Sequence, residues 1–171
     1  MLRLKGHKAL VTSVSFSPDG RWLASASQDT TVKVWDLAAC KEMLSLEGHK
    51  HSVGSISFSP DGRHLASASS DATVKVWDLA SGKETVFLEG RRNGVLSVVR
   101  FSPDGRRLAS VSGDKTVKVW DLGGRKETLV LEHKQNVTSV SFSPDGRRLA
   151  GASDDETVKV WDLASGKECS A

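Results

Sequence analysis

The chain has 171 residues, a formal net charge of +3 and a sequence pI near 9.0, so it is only mildly basic. Apolar residues make up 38% of it, which is enough for a packed core, and no apolar stretch is long enough to span a membrane. There is no signal-peptide pattern, and two cysteines are too few for a disulfide framework. We therefore expect one cytoplasmic domain over residues 1–171, with Cys40 and Cys169 as free thiols.

A heptapeptide, TVKVWDL at residues 31–37, recurs along the whole chain. Close copies end at Leu79, Leu122 and Leu163, about 42 residues apart. A repeat of this length is one supersecondary unit. The units divide the chain at approximately 2–42, 43–84, 85–127 and 128–171, so the sequence predicts four copies of one small structure.

Each unit begins with a short apolar run before a Gly-His pair or a variant of it, as at residues 44–49. An alternating run ending in Phe comes next, as at residues 11–16, and the tetrapeptide SPDG follows. Pro fixes φ, Asp bonds its own backbone and Gly accepts a positive φ, so SPDG predicts a tight turn. A Leu-Ala-Ser run, an Asp turn and TVKVWDL complete the unit. The runs alternate with period two and are rich in Val, Ser and Thr, which predicts a four-stranded antiparallel sheet with strands a to d.

The four units resemble the repeats of the WD-repeat (WD40) β-propeller family, which carry a Gly-His pair before strand a and Trp-Asp on strand c. All four units have Trp-Asp, and three have His at the expected position. The resemblance covers essentially the whole chain. It implies an all-β fold with four four-stranded antiparallel blades per chain.

The resemblance also implies a structural tetrad in each blade: His before strand a, Ser on strand b, Asp in the b–c turn and Trp on strand c. We expect ordered tetrads in the first two blades. Defects are expected in the last two, because Arg91 replaces His in the third and Gly151 replaces Ser in the fourth. The tetrad positions are His7, Ser25, Asp29, Trp35, His49, Ser67, Asp71, Trp77, Ser110, Asp114, Trp120, His133, Asp155 and Trp161.

His, Ser and Asp together also form the constellation of a catalytic triad, which is recognised by geometry rather than by chain order. Against that interpretation, the set is copied in the repeats, is placed beside a Trp and has no oxyanion-hole signature. A buried hydrogen-bond network is the better interpretation. We expect no enzyme activity, no cofactor and no metal, since no zinc, calcium, P-loop or dinucleotide pattern is present.

The two ends of the chain complement each other. Residues 1–8 align with residues 43–50, so the chain opens with an additional strand d, whereas the fourth unit stops before its own strand d is complete. Propellers of this kind close their ring by giving the N-terminal strand to the last blade. The resemblance therefore assigns strand exchange to Leu2, Leu4 and Cys169.

Four blades are fewer than the usual ring of this family, and an open arc would expose the faces of its terminal blades. We favour a homodimer that closes an eight-bladed ring, because two-fold symmetry makes its two junctions equivalent. A four-bladed monomer needs about 90° between neighbouring blades, against about 45° in the dimer, and leaves gaps to fill. The third alternative is that the chain is an excerpt of a longer propeller.

Partners in this family often dock on the face built by the d–a and b–c loops, which implies an unidentified protein or peptide partner. The matching positions are mostly small and lack the aromatic residues that anchor interfaces. They are Leu10, Thr12, Gln28, Ser52, Gly54, Ser70, Gly94, Leu96, Gly113, Asn136, Thr138 and Asp154. The third unit carries one extra residue within 95–101, which we interpret as a β-bulge.

Basic residues gather in the d–a loops and after each SPDG, so nucleic-acid binding is an alternative. Each SPDG also supplies an Asp beside those Arg residues, and no aromatic residues interleave for base stacking, so nucleic acid is the less favoured partner. Three classes stay open: a self-assembling interaction scaffold, which we favour, a repeat module cut from a larger protein, and an enzyme or nucleic-acid binder.

Overall fold

The computed structural model of the protein describes residues 2–90 and 96–169. These residues form four antiparallel sheets and no helix, and so no helix long and apolar enough to cross a membrane. Blade one contains β1 (Val11–Phe16), β2 (Trp22–Ser27), β3 (Val32–Asp36) and β4 (Lys41–Leu46). Blade two contains β5 (Val53–Phe58), β6 (His64–Ser69), β7 (Thr73–Asp78) and β8 (Lys83–Glu89). Blade three contains β9 (Leu96–Phe101), β10 (Arg107–Ser112), β11 (Thr116–Asp121) and β12 (Lys126–Glu132), and blade four contains β13 (Val137–Phe142), β14 (Arg148–Ser153) and β15 (Val158–Asp162).

Each blade is a meander in which consecutive strands are neighbours, so the all-β prediction is confirmed. The SPDG segments form the a–b turns. In blade one, Gly20 has a φ of 71° and its N–H donates to the Ser17 carbonyl at 2.9 Å. Asp19 Oδ1 accepts the Ser17 hydroxyl at 2.6 Å, which closes the turn on its own side chains.

The core lies between blades, in one layer for each pair of successive sheets. Ala24 and Val34 of blade one are wholly buried against Val53 and Ile56 of blade two. Successive side chains of a strand lie on opposite faces of the sheet, so in blade two Leu65 and Trp77 pack toward blade one, while Ala66 and Val76 pack toward blade three. A buried Val contributes about 1.5–3 kcal/mol relative to an exposed one, so a blade without a neighbour loses much of its stabilisation.

Blade four has three strands and the beginning of a fourth. Glu168 forms an isolated bridge with Trp161, and the N–H of Cys169 donates to the Val160 carbonyl at 2.7 Å. Residues 2–10 form no strand and Leu2 is half exposed, so the expected N-terminal strand d is not formed within one chain. The physical reason is that a strand needs a neighbouring edge to pair its backbone groups, and β4 is already the strand d of blade one.

Candidate functional site

The tetrad of blade two is a continuous chain of hydrogen bonds. The indole N–H of Trp77 donates to Ser67 Oγ at 2.9 Å, Ser67 Oγ lies 2.7 Å from His49 Nε2, and His49 Nδ1 lies 3.0 Å from Asp71 Oδ2. An indole only donates and an ionised carboxylate only accepts. A neutral imidazole protonated on Nδ1 therefore lets the Ser67 hydroxyl donate to Nε2, and all four side chains are paired.

Blade one has nearly the same geometry. Trp35 Nε1 donates to Ser25 Oγ at 2.8 Å, and the imidazole of His7 lies 2.7 Å from Ser25 Oγ and 2.9 Å from Asp29 Oδ2. The imidazole and indole rings meet edge to face, with centroids 6.3 Å apart in blade one and 6.2 Å apart in blade two. The repeated residues thus produce the same geometry twice.

The Asp71 carboxylate ties the b–c turn of blade two to the loop before strand a. Burial opposes its ionisation, but hydrogen bonds from Thr73 Oγ1, the backbone N–H of Lys50 and His49 outweigh burial and lower the pKa of Asp71 to about 2. Burial also lowers the pKa of His49, against the opposing effect of the Asp71 charge. Near neutral pH the pair is therefore an ionised carboxylate and a neutral imidazole.

Blade three has an incomplete network. Trp120 Nε1 donates to Ser110 Oγ at 2.8 Å, and Thr116 Oγ1 donates to Asp114 Oδ1 at 2.5 Å. The other carboxylate oxygen, Oδ2, is buried and meets no hydrogen-bond partner within residues 2–90 and 96–169. Arg91, which takes the position of the tetrad His, lies outside the described residues.

Blade four lacks the Ser hydroxyl, and its two rings lie closer together. The centroids of His133 and Trp161 are 5.1 Å apart, and His133 Nδ1 is 3.5 Å from Asp155 Oδ2, too far for a strong hydrogen bond. Both ring nitrogens of His133 are buried without a partner in the described part of the chain. A β-carbon on Gly151 would lie 3.0 Å from both His133 Nε2 and Trp161 Cζ3, so the imidazole and the indole together occupy the space that a Ser side chain would need.

The His-Ser-Asp sets of blades one and two have the connectivity of a catalytic triad without its accessibility. Ser25 is 4% exposed and Ser67 is fully buried, and each hydroxyl accepts an indole N–H. A catalytic nucleophile has to reach a substrate atom. These hydroxyls instead contact protein on every side, which makes the arrangement a network that holds the d–a loop against strands b and c.

Sequence reasoning missed a second repeated element, a Lys on strand c paired with a Glu on strand d. In blade three, Lys118 Nζ lies 2.8 Å from Glu127 Oε2 and 5.6 Å from the ring centroid of Trp120, and the Lys118 side chain is only 3% exposed. The other pairs are Lys33–Glu42, Lys75–Glu84 and Lys159–Glu168. The signal was available, since the Lys and the Glu are nine positions apart in every unit.

The d–a and b–c loops lie together at one end of a blade. The family resemblance predicts that residues in these loops bind partners. The same backbone hydrogen bond, 2.9 Å long, joins the pairs Gln28–Leu10, Ser70–Ser52 and Asp154–Asn136. Gln28, Ser70, Gly113 and Asp154 are all exposed at this position. Gly94 lies outside the described residues, so its blade has no such pair to describe.

The β-bulge inferred for unit three is present in every blade. The pairing of strands a and b skips Thr12, Gly54, Ser97 and Thr138 in the four blades. Ser97, and not Leu96, is therefore the residue equivalent to Thr12. The bulge of strand a is therefore common to all four blades and is not produced by the extra residue of unit three, which falls before β9, outside the described residues.

Known proteins match this chain one repeat at a time. The ribosome biogenesis protein BOP1 homolog of Dictyostelium discoideum is 48% identical over 40 residues, which are 23% of this chain and 5% of that protein. The target of rapamycin complex subunit wat1 of Schizosaccharomyces pombe is 49% identical over 39 residues, 23% of this chain and 12% of that protein. The Notchless protein homolog of Arabidopsis thaliana is 59% identical over 34 residues, 20% of this chain and 7% of that protein. The matched segments thus span a small part of each relative.

The match to a family model covers most of the chain. The WD domain, G-beta repeat model matches residues 1–36, 40–78, 82–121 and 125–162, one match for each blade described above. The Trp of every match contributes the indole of its blade's tetrad position, and the final Asp of every match ends strand c. The chain therefore belongs to the WD-repeat family.

Proposed function

We propose that this protein is a non-enzymatic protein-interaction scaffold that binds a protein or peptide partner on the face formed by its d–a and b–c loops. The observation that supports this most directly is the repetition of exposed loop pairs at one end of the blades, each pair held by the same backbone bond. The tetrads of blades one and two pin the d–a loops behind that face, so it is presented rigidly. The names of two relatives, a ribosome biogenesis protein and a complex subunit, are in line with assembly into larger complexes.

Site-specific photo-crosslinking tests the loop face. A crosslinking residue at Gln28 or Ser70, both exposed on that face, is expected to capture the same partner from two blades. Ala39 is the matched control, because it is equally exposed in a c–d turn at the opposite end of blade one. Equal crosslinking of the partner from Ala39 and Gln28 would show that the loop face is not the docking surface.

We further propose that the working form is a homodimer in which two arcs of four blades make an eight-bladed ring. The support is the unpartnered first face of blade one. Val11 is 46% exposed, Val14 is 62% and Phe16 is 65%, whereas the equivalent Val53 and Ile56 of blade two are 0% and 2% exposed. Apolar residues so exposed in a row are typical of a surface that another protein covers.

The strand exchange at Leu2, Leu4 and Cys169 remains part of this proposal. Blade four has an incomplete fourth strand, and residues 2–10 pair with no strand among residues 2–90 and 96–169. Donating those residues to the partner's blade four would pair backbone groups on both segments. A cytoplasmic location belongs to the same proposal, since the exposed thiols of Cys40 and Cys169 stay free in a reducing compartment.

The absolute molar mass in solution tests the ring. Light scattering on a size-exclusion column is expected to give twice the chain mass of 18.4 kDa. Phe16→Asp is expected to give the single-chain mass, because it places a charge in the proposed contact. Phe87→Asp is the matched control, since Phe87 is 50% exposed on strand β8, away from the blade-one face, and this variant should remain dimeric. A single-chain mass for the unmodified protein, or a larger polydisperse mass, would contradict the homodimer.

A further inference from the structure

The internal junctions of the arc share a set of contacts that can be followed to its two ends. At each junction, the a–b turn of one blade lies against the turn of the blade before it. A β-carbon on Gly62 would lie 3.6 Å from Pro18 Cδ, and one on Gly105 would lie 3.5 Å from Pro60 Cδ. A β-carbon on Gly146 would likewise lie 3.7 Å from Pro103 Cδ. Turn-on-turn packing is therefore part of every internal junction.

Two polar contacts cross the junctions in the same direction. Thr12 Oγ1 of blade one donates to the Val53 carbonyl of blade two at 2.5 Å. Arg107 of blade three donates from Nη2 to the Gly146 carbonyl of blade four at 2.7 Å. In both cases the donor belongs to the earlier blade and the acceptor to the later one, whereas at the junction of blades two and three the N–H groups of Val99 and Phe101 donate in the opposite direction, to Ser55 Oγ and Ser57 Oγ. A charged donor on a backbone carbonyl makes a stronger bond than a neutral pair.

Blade four carries the donor residues of both contacts, and no further blade of the described residues lies against that face. Its Thr138 occupies the bulged position of Thr12, and its Arg148 begins strand b opposite Asp162, as Arg107 does opposite Asp121. The Thr138 hydroxyl donates to the Ala152 carbonyl of its own blade at 3.3 Å, a bond that docking would exchange for one across the junction. The adjoining apolar face is also uncovered: Val158 is 71% exposed, while the equivalent Val32 of blade one is fully buried.

Blade one carries the acceptor half, and no other blade of the described residues lies against its first face. Gly20, equivalent to Gly62, Gly105 and Gly146, would have nothing within 4 Å of an added β-carbon. Its Val14 and Phe16 are the exposed counterparts of the buried Val140 and the half-buried Phe142 of blade four. The two ends of the chain are thus the two halves of one junction.

We infer that blade four of one copy docks head to tail on blade one of a second copy, with Arg148 donating to the Gly20 carbonyl and Thr138 to the Val11 carbonyl across the junction. This inference rests on the proposed homodimer and names its contacts. Val158 covers the face that Val14 and Phe16 leave open, and Pro144 packs on Gly20. Both junctions of the ring are identical, because the two-fold axis coincides with the ring axis.

The direction of docking separates this junction from a symmetric one. If two copies met through their blade-one faces, blade four would be free and its residues would not affect association. Head-to-tail docking needs both ends. Val158→Asp, on blade four, is therefore expected to give the single-chain mass just as Phe16→Asp does on blade one. A dimer that survives Val158→Asp at micromolar concentration would overturn the inference.

Mixing the two variants provides an internal rescue. Phe16→Asp leaves the blade-four face intact and Val158→Asp leaves the blade-one face intact, so one undamaged junction can form only between the two different chains. The mixture is expected to show a species of two chains at a concentration where each variant alone is single. If the mixture stays single, the head-to-tail junction is wrong.

Arg148→Ala tests the polar contact. Loss of a charged hydrogen bond is expected to weaken association about tenfold at each junction, and so about a hundredfold for the pair of junctions. Arg147→Ala is the matched control, because Arg147 is an exposed neighbouring Arg whose backbone caps the turn, and it should leave the dissociation constant unchanged. If the unmodified protein is dimeric but Arg148→Ala and Arg147→Ala bind alike, the ring stands and this contact is excluded. If the unmodified protein is a monomer, the proposed homodimeric ring is ruled out as well.

Discussion

One hydroxyl group separates the complete tetrads from that of blade four. In blades one and two, Ser25 and Ser67 link indole to imidazole, and the rings lie 6.3 and 6.2 Å apart. With Gly151 in that place the rings are 5.1 Å apart, and both nitrogens of His133 are buried without a partner among the described residues. Unpaired buried nitrogens are costly, so blade four forgoes stability that blades one and two have.

Gly151→Ser should stabilise the protein by about 1–2 kcal/mol, since it restores a hydrogen bond and removes the backbone freedom of a strand glycine. The rings of His133 and Trp161 must both shift, because each lies 3.0 Å from the added β-carbon, and their separation must grow to that of the intact tetrads. Urea unfolding measures the change. Gly151→Ala is the control that adds the β-carbon without the hydroxyl, and it should stabilise less than Ser. A destabilised Gly151→Ser variant would show that blade four is more stable with Gly151 and its closely packed rings than with a complete tetrad.

At the scale of the strand, the buried Lys–Glu pairs link strands c and d where the apolar core ends. Lys118 is nearly inaccessible, whereas its partner Glu127 is one-third exposed. Removing the Glu leaves a buried ammonium without its counter-charge, while removing the Lys leaves a carboxylate that water still reaches. Removing the Glu is therefore expected to lower the free energy of unfolding more than removing the Lys.

Glu127→Leu is expected to destabilise the protein by about 3 kcal/mol, and Lys118→Met by about 1 kcal/mol, because Met fills the same space without a charge. The blade-four pair supplies the control: Lys159 is 22% exposed and Glu168 is 53% exposed, so Glu168→Leu should cost less than about 1 kcal/mol. Denaturant midpoints for the three variants test this order. Equal effects of Glu127→Leu and Glu168→Leu would contradict the role of burial.

At the scale of the whole molecule, the arc has two blades with two neighbours and two blades with one. Blades two and three are covered on both faces, whereas blades one and four each have an exposed face. Local unfolding requires the least free energy where an element has few apolar contacts. A monomeric arc should therefore be weakest at its ends, and a closed ring should have no ends.

Hydrogen exchange on the Phe16→Asp variant tests this distribution. Amides of β2 and β14, in the terminal blades, are expected to exchange faster than those of β6 and β10, in the central blades. In the unmodified protein the proposed ring should make the four strands exchange at similar rates. Uniform exchange in the monomeric variant would mean that the blades do not depend on their neighbours for stability.

The sequence by itself determined the number of blades, their turns and most of their strands, because the period, the alternation and SPDG are local properties of adjacent residues. The prediction of four strands in every blade is wrong for blade four, whose fourth strand is only an isolated bridge at Glu168. The family resemblance predicted the tetrad positions, and in blades one and two the side chains at those positions are hydrogen-bonded to one another. The sequence did not reveal the buried Lys–Glu pairs, although their spacing is regular. Charged side chains usually lie on the protein surface, and the sequence alone does not show that these Lys residues are buried.

Only the tertiary structure decided what happens between blades and at the ends. The hydrogen bonds of Thr12 and Arg107 join residues from different blades. These internal contacts are what suggests a matching contact between Arg148 and Gly20 at the two ends. The N-terminal segment copies a strand d in sequence yet forms no strand in the single chain, since strand formation depends on a neighbouring edge. Local pattern specifies each blade, whereas packing between blades depends on which surfaces the chain brings together.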